Sequence, residues 1–197
     1  MLTFTTDQIK SLIPCSAKKD VRYYLQGALL EVCSNGDVHL VSTDGHILFA
    51  GLIAAPNVQW TEEPKTGPWQ MIIPRDTLEL AAKSKKPTVE LKAMPDGAYM
   101  LGDHYFKPVD GRFPDWRRVS VKIDAALIEP GHYDPALLVR ANDALKIWFG
   151  GGSKYASHLS QYGTSSAIMT GDNMTAFCIV MPWRANERIK PFTPANY

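Results

Sequence analysis

Histidine and cysteine are the side chains here best suited to metal binding or nucleophilic catalysis, and their spacing favours neither. His39, His46, His104, His132 and His158 form no HExxH pair, which would set two imidazoles one turn apart on a helix. Cys15, Cys33 and Cys178 form no CxxC, the spacing of zinc knuckles and redox dithiols. No GxSxG nucleophile turn is present. Gly150-Gly151-Gly152 lacks the Lys-Ser/Thr that completes a phosphate-binding loop. The sequence therefore predicts no enzyme, no cofactor and no metal. What remains is binding chemistry. Basic side chains are interleaved with Asp7, Asp76, Glu79 and Asp143 along the helical segments. Such a pattern reads as solvated helix faces or as a modest phosphate-touching surface.

The elements that must position these groups follow from turns and periodicity. Thr5-Thr6-Asp7 with Ile9, Leu12 and Ile13 predicts a capped helix over 6–13, limited by Pro14. Strands are expected over Tyr23 to Val32, Val38 to Val41 and Ile47 to Ala54, with turns at Asn35-Gly36 and Asp44-Gly45. Asn57 to Pro68 reads as a connector. The pattern then restarts. A short strand at Met71 to Ile73 precedes a helix over 75–85, closed before Pro87. Strands follow at Val89 to Ala93, Tyr99 to Leu101 and Tyr105 to Val109, with a turn at Pro95-Asp96-Gly97. It restarts once more at Asp134-Pro135, an N-cap followed by proline at the first helical position. Leu137, Leu138, Ala141, Ala144, Leu145 and Trp148 form an apolar stripe on a helix over 134–147. Ser157 to Gln161, Ser165 to Thr170 and Ala176 to Met181 are the last strand candidates. Residues 185–197 read as a mobile tail. The chain is thus an α+β protein of three successive units, roughly 2–56, 69–121 and 132–184, each a helix with antiparallel strands.

Composition agrees with a globular chain, since 45% of the 197 residues are hydrophobic and 21% charged. An odd, dispersed set of cysteines points to reduced, buried thiols and a cytoplasmic protein. No apolar run reaches spanning length, and Met1 to Lys10 carries no signal-peptide pattern. A net charge of +1 excludes retention on nucleic acid by bulk charge, though not by a local basic face.

Five motifs in order carry a resemblance. Asp20-Val21-Arg22-Tyr23-Tyr24-Leu25-Gln26-Gly27 followed by Leu29-Leu30-Glu31 is similar to the start of the middle domain of the bacterial DNA polymerase III beta subunit, the sliding clamp. Thr43-Asp44-Gly45-His46 resembles that domain's TDGH turn, and Ile73-Pro74-Arg75 the opening of its second helix. Val109-Asp110-Gly111-Arg112-Phe113-Pro114-Asp115 with Arg117-Arg118-Val119 resembles the segment leaving it. Val180-Met181-Pro182 with Arg184 resembles the family's C-terminal signature. The turn departs from the family pattern at Ile47, where relatives carry arginine, and the signature departs at Trp183, where many carry a smaller apolar residue.

The resemblance implies a clamp fold, with helices facing DNA and sheets facing out. It divides the chain into a clamp domain at 1–121 like the family's middle domain, a half domain at 122–184 like the end of the last domain, and the tail 185–197. It implies a pocket for short apolar motifs of replication proteins, walled by Arg22, Leu25, Thr43, Gly45, His46, Leu48, Pro114, Arg118, Val119, Val180, Met181, Pro182, Trp183 and Arg184. An apolar floor with arginines at its rim suits an amphipathic peptide. It also implies sequence-independent phosphate contacts from Lys10, Lys18, Lys19, Arg75, Lys83, Lys85, Lys86, Arg140 and Lys146. The expected partners are duplex DNA, a polymerase or other replication protein, and further copies of the chain. The expected function is that of a processivity factor that encircles DNA or tethers to it. The alternative is a non-encircling module of phage or plasmid type that competes for clamp-binding peptides.

Overall fold

The computed structural model describes residues 2–60, 68–119, 132–151, 157–160, 166–171 and 173–183. The first unit runs β1 (Leu2–Thr5), α1 (Thr6–Lys10), β2 (Gly27–Val32), β3 (Val38–Thr43) and β4 (Ile47–Ile53), followed by the short β5 (Gln59–Trp60). The second runs β6 (Trp69–Pro74), α2 (Arg75–Ala81), β7 (Thr88–Ala93), β8 (Tyr99–Leu101) and β9 (His104–Phe106). The third supplies α3 (Pro135–Trp148), β10 (His158–Ser160), β11 (Ala167–Thr170) and β12 (Ala176–Val180). Every strand pairing is antiparallel.

The units exchange their opening strands. β1 leaves its own unit and pairs with β7, setting Leu2 opposite Leu91 and Phe4 opposite Val89. β6 pairs in return with β2 of the first unit. The third unit continues the first unit's sheet, because β12 pairs with β4 from Ala176↔Gly51 to Val180↔Ile47. The result is a five-stranded sheet ordered β5-β1-β7-β8-β9 and a seven-stranded sheet ordered β10-β11-β12-β4-β3-β2-β6. Helix α1 packs against both α2 and α3, so the unit that comes first in sequence lies in the middle in space.

One apolar core unites both sheets with the helices. Phe4, Ile9, Leu12, Leu40, Phe49, Leu78, Leu91, Ala144 and Leu145 all belong to it. A second apolar layer covers the opposite face of the seven-stranded sheet, where Phe113 and Trp116 lie over Leu29, Val41, Leu48, Ile72 and Ile179.

Several expected boundaries move. Helix α1 stops at Lys10, and the Ser11 hydroxyl donates to the Gln8 carbonyl at 2.8 Å. Its start is the expected one, since Thr5 and Gln8 form a capping box. Helix α2 ends at Ala81, ahead of turn bonds from Lys83 to Leu80 and Ser84 to Ala81. The segment Tyr23–Leu25 is a 3-10 turn, and the strand begins only at Gly27. β1 and β5 were not expected at all: four and two residues give too short a pattern to register as alternation. Residues 185–197 lie outside the described residues.

Candidate functional site

The Thr43–Ile47 turn is built by its own side chains. The Thr43 hydroxyl donates to the Ile47 carbonyl at 2.7 Å and accepts the Gly45 N–H at 3.0 Å. Asp44 Oδ1 accepts the N–H groups of His46 at 2.8 Å and Ile47 at 3.1 Å. Gly45 sits at φ +93°, and a Cβ there would come within 2.9 Å of the Arg22 guanidinium. Arg22 is held over the turn by Asp20, through bonds of 2.9 and 2.7 Å, and reaches the Asp44 carbonyl at 3.2 Å. Those bonds from Arg22 hold the Asp20 carboxyl down at about 2. The turn thereby presents His46 outward.

The third unit closes against this turn. Beyond β12 the Met181 N–H donates to the His46 carbonyl at 2.9 Å, and the Trp183 N–H donates to the His132 carbonyl at 2.7 Å. Arg140 of α3 donates to Asp44 Oδ2 at 2.6 Å and to the Pro14 carbonyl at 2.8 Å, binding helix, turn and the end of the α1 segment together. Between them lies a cleft of about 440 Å³ lined by Asp44, His46, Asp134, Leu137, Arg140, Met181, Pro182 and Trp183. A depression of about 950 Å³ shares Asp44, His46 and Arg140 with it and runs past Lys18, Lys19 and Arg75. The cleft thus offers Leu137, Met181 and Pro182 as an apolar wall, a 60% exposed Trp183 at its lip, and an ion pair at its base. Such a surface can take an apolar side chain and hold the neighbouring peptide group.

Of the residues expected to wall a pocket, His46, Met181, Pro182 and Trp183 meet here. Leu25, Leu48 and Val180 are buried, so they do not form an open floor. Leu48 lies opposite Ile179 in the register and belongs to the layer under Phe113 and Trp116. Thr43 is buried, and its hydroxyl is already engaged by the turn. Arg22 and Gly45 form the turn's exposed edge. Pro114 and Arg118 are exposed on the segment that covers the second apolar layer, and Val119 packs onto that layer. Arg184 lies outside the described residues. Asp44, Asp134, Leu137 and Arg140 line the cleft without having been expected there. Their role depends on β12 meeting β4, which no local pattern announces.

The basic residues divide in the same way. Lys10, Lys18, Lys19, Lys83, Lys85, Lys86 and Lys146 are exposed: Lys10 and Lys146 in the last turns of α1 and α3, Lys83, Lys85 and Lys86 just beyond α2, and Lys18 and Lys19 on the segment between α1 and β2. Arg75 is corrected to a buried structural role. Its guanidinium donates to the Ile13 and Ser16 carbonyls at 2.9 and 2.6 Å and to Glu79 at 2.8 Å, leaving it little reach toward a ligand. Arg140 is likewise engaged by Asp44 and Pro14.

No protein-family model matches the chain. It is 39% identical to the beta sliding clamp of Pseudomonas putida over an alignment of 120 residues, covering 54% of this chain and 29% of that protein. It is 34% identical to the beta sliding clamp of Escherichia coli K12 over 131 residues, covering 58% of this chain and 31% of that one. The sequence match therefore spans about a third of the relatives' length. In three dimensions the likeness is broader. The DNA polymerase III beta subunit of Pseudomonas aeruginosa superposes on 93% of this chain with a TM-score of 0.68 at 20% identity, using 65% of its own length. The Helicobacter pylori beta clamp bound to a DNA ligase peptide superposes on the same share with a TM-score of 0.69 at 13% identity, using 66% of its length. The architecture is that of the DNA clamp.

Proposed function

We propose that this chain, a partial-length relative of the bacterial beta sliding clamps with the clamp fold, is a non-enzymatic binding protein that seats a short peptide motif of a replication protein in the cleft between its first and third units and tethers that protein to duplex DNA. The observation that carries this reading is the β4–β12 junction, which assembles His46, Met181, Pro182 and Trp183 from segments far apart in sequence into one cleft. The Helicobacter pylori relative holds a DNA ligase peptide, which makes a peptide the natural class of occupant. A peptide with a glutamine and spaced Leu and Phe fits the apolar wall and polar base. Its affinity is expected to be about micromolar, because a short flexible segment is ordered on binding. Calorimetric titration of such a peptide tests the reading. Saturable one-to-one binding that is lost in Met181→Asp supports it, and binding unchanged in that variant refutes it.

Tethering falls to the exposed lysines at the helix ends, which contact phosphates without reading sequence. In the encircling form of this reading several copies close around the duplex. A second reading has a specific observation in its favour: the described lining of the cleft all comes from one chain. A module of that kind would compete for clamp-binding peptides without encircling DNA. The mass of the particle in solution separates the two.

A further inference from the structure

A cluster with different chemistry lies on the outer face of the seven-stranded sheet. β2 and β3 form a hairpin around Asn35-Gly36, in which Glu31 stands directly opposite His39. The Cys33 N–H donates to the Asp37 carbonyl at 2.8 Å, which keeps the strands paired one step further. Alternation then turns Glu31 and Cys33 to the same face. His39 Nδ1 lies 3.3 Å from Cys33 Sγ and 3.4 Å from Glu31 Oε2. The side chains of His39 and Glu31 are only 18% and 20% exposed.

These separations match those around a metal. Thiolate, imidazole and carboxylate atoms held tetrahedrally ~2.0–2.3 Å from Zn²⁺ lie roughly 3.3–3.6 Å from one another. We propose that Glu31, Cys33 and His39 form a three-ligand site for Zn²⁺, with a fourth position left to water. A mixed S, N, O set suits this borderline-soft ion. The site is held in place by its surroundings. The Trp116 ring packs against His39, with centroids 5.4 Å apart, and Arg117 lies over Trp116 while pairing with both oxygens of Glu31 at 3.2 and 2.7 Å. A shallow cleft between Cys33 and Trp69 leaves room for the water. Burial already favours the neutral, ligating form of His39. It also keeps the Cys33 thiol protonated, so binding forms a Zn–S bond, breaks the S–H bond and releases that proton to solvent. Arg117, whose guanidinium also bears on Cys33 and His39, gives up those contacts to the ion and stays as an outer partner of Glu31. The spacing E-x-C-x5-H carries no familiar metal signature, because the ligands converge only through hairpin register.

Cobalt(II) as a spectroscopic stand-in for zinc, added to the reduced protein, tests the site. One equivalent should bind and produce a thiolate-to-cobalt charge-transfer band. C33S should abolish the band, H39A should weaken binding at least tenfold, and zinc should displace the cobalt. Absence of the band, or its survival in C33S, overturns the proposal. A readout without substitutions guards against misfolding: zinc should protect Cys33 from alkylation, scored by peptide mass spectrometry, while the fully buried Cys15 and Cys178 serve as internal controls. Alkylation of Cys33 at the same rate with and without zinc would equally overturn it, leaving a hydrogen-bonded triad.

Discussion

Side chains that seem interchangeable by type play different parts here. Leu48 and Met181 both fall in clamp-like motifs, yet Leu48 is 4% exposed whereas Met181 lines the cleft. A charge at Leu48 would be buried without a partner and would unfold the chain, so it cannot report on binding. Met181→Asp and Trp183→Ala are the informative changes. Each should weaken a clamp-motif peptide at least tenfold by calorimetry while leaving the circular dichroism spectrum unchanged. Arg75 and Lys83 differ in the same sense. Arg75→Met would orphan the Ile13 and Ser16 carbonyls and should lower unfolding free energy by about 2–4 kcal/mol in urea titrations. Lys83→Gln and Lys85→Gln should leave stability alone and flatten the salt dependence of DNA binding. Asp20 should titrate near 2, well below its ordinary 3.8, because Arg22 favours the charged form. Its ion pair with Arg22 therefore persists above pH 4 and is lost as pH falls toward 2, which carbon-detected NMR of the carboxyl can follow.

Among the elements, α3 decides whether the third unit stays docked. Its C-terminal aromatics lie flat on two glycines: a Cβ on Gly51 of β4 would come within 2.5 Å of the Trp148 ring, and one on Gly171 within 2.2 Å of Phe149. Trp148 also donates to the Thr175 hydroxyl at 3.2 Å, and the buried Cys178 thiol donates to the Ala141 carbonyl at 3.6 Å. Gly51→Ala should displace Trp148 at a cost of about 1–3 kcal/mol, with amide protons of β12 exchanging faster than those of β2. Apart from β1 and β5, the element order was legible in the sequence. The capping box at Thr5, the glycine turns at Gly36, Gly45 and Gly97, and the α3 stripe are local signals, and each falls where expected. The exchange of β1 and β6 and the meeting of β4 with β12 were not legible. Strand pairing between distant segments leaves no trace in periodicity, and the cleft residues Asp44, Leu137 and Arg140 depend on that pairing.

For the whole molecule, the order of units across the seven-stranded sheet is second, first, third. A head-to-tail ring would therefore join the second unit of one copy to the third unit of the next. Among the described residues the five-stranded sheet ends in β5 and β9, and the seven-stranded sheet in β10 and β6. The three residues of β10 are exposed. Native mass spectrometry at micromolar concentration should show a closed homo-oligomer, and the protein should remain longer on circular DNA than on linear DNA. A strict monomer, or equal retention on both, would favour the non-encircling module.

The displaced position of the first unit also shapes biogenesis. A ribosome delivers β4 well before β12, so the edge that will carry the cleft waits unpaired while more than a hundred residues are added. During that interval the nascent chain presents Phe49 and its neighbours in an open strand, a site for chaperone capture or for strand invasion. At high expression a neighbouring chain's third unit could take the place of β12 with the same pairing register. Swapped dimers would then have intact clefts and would differ from the native particle only in which chain supplies each wall.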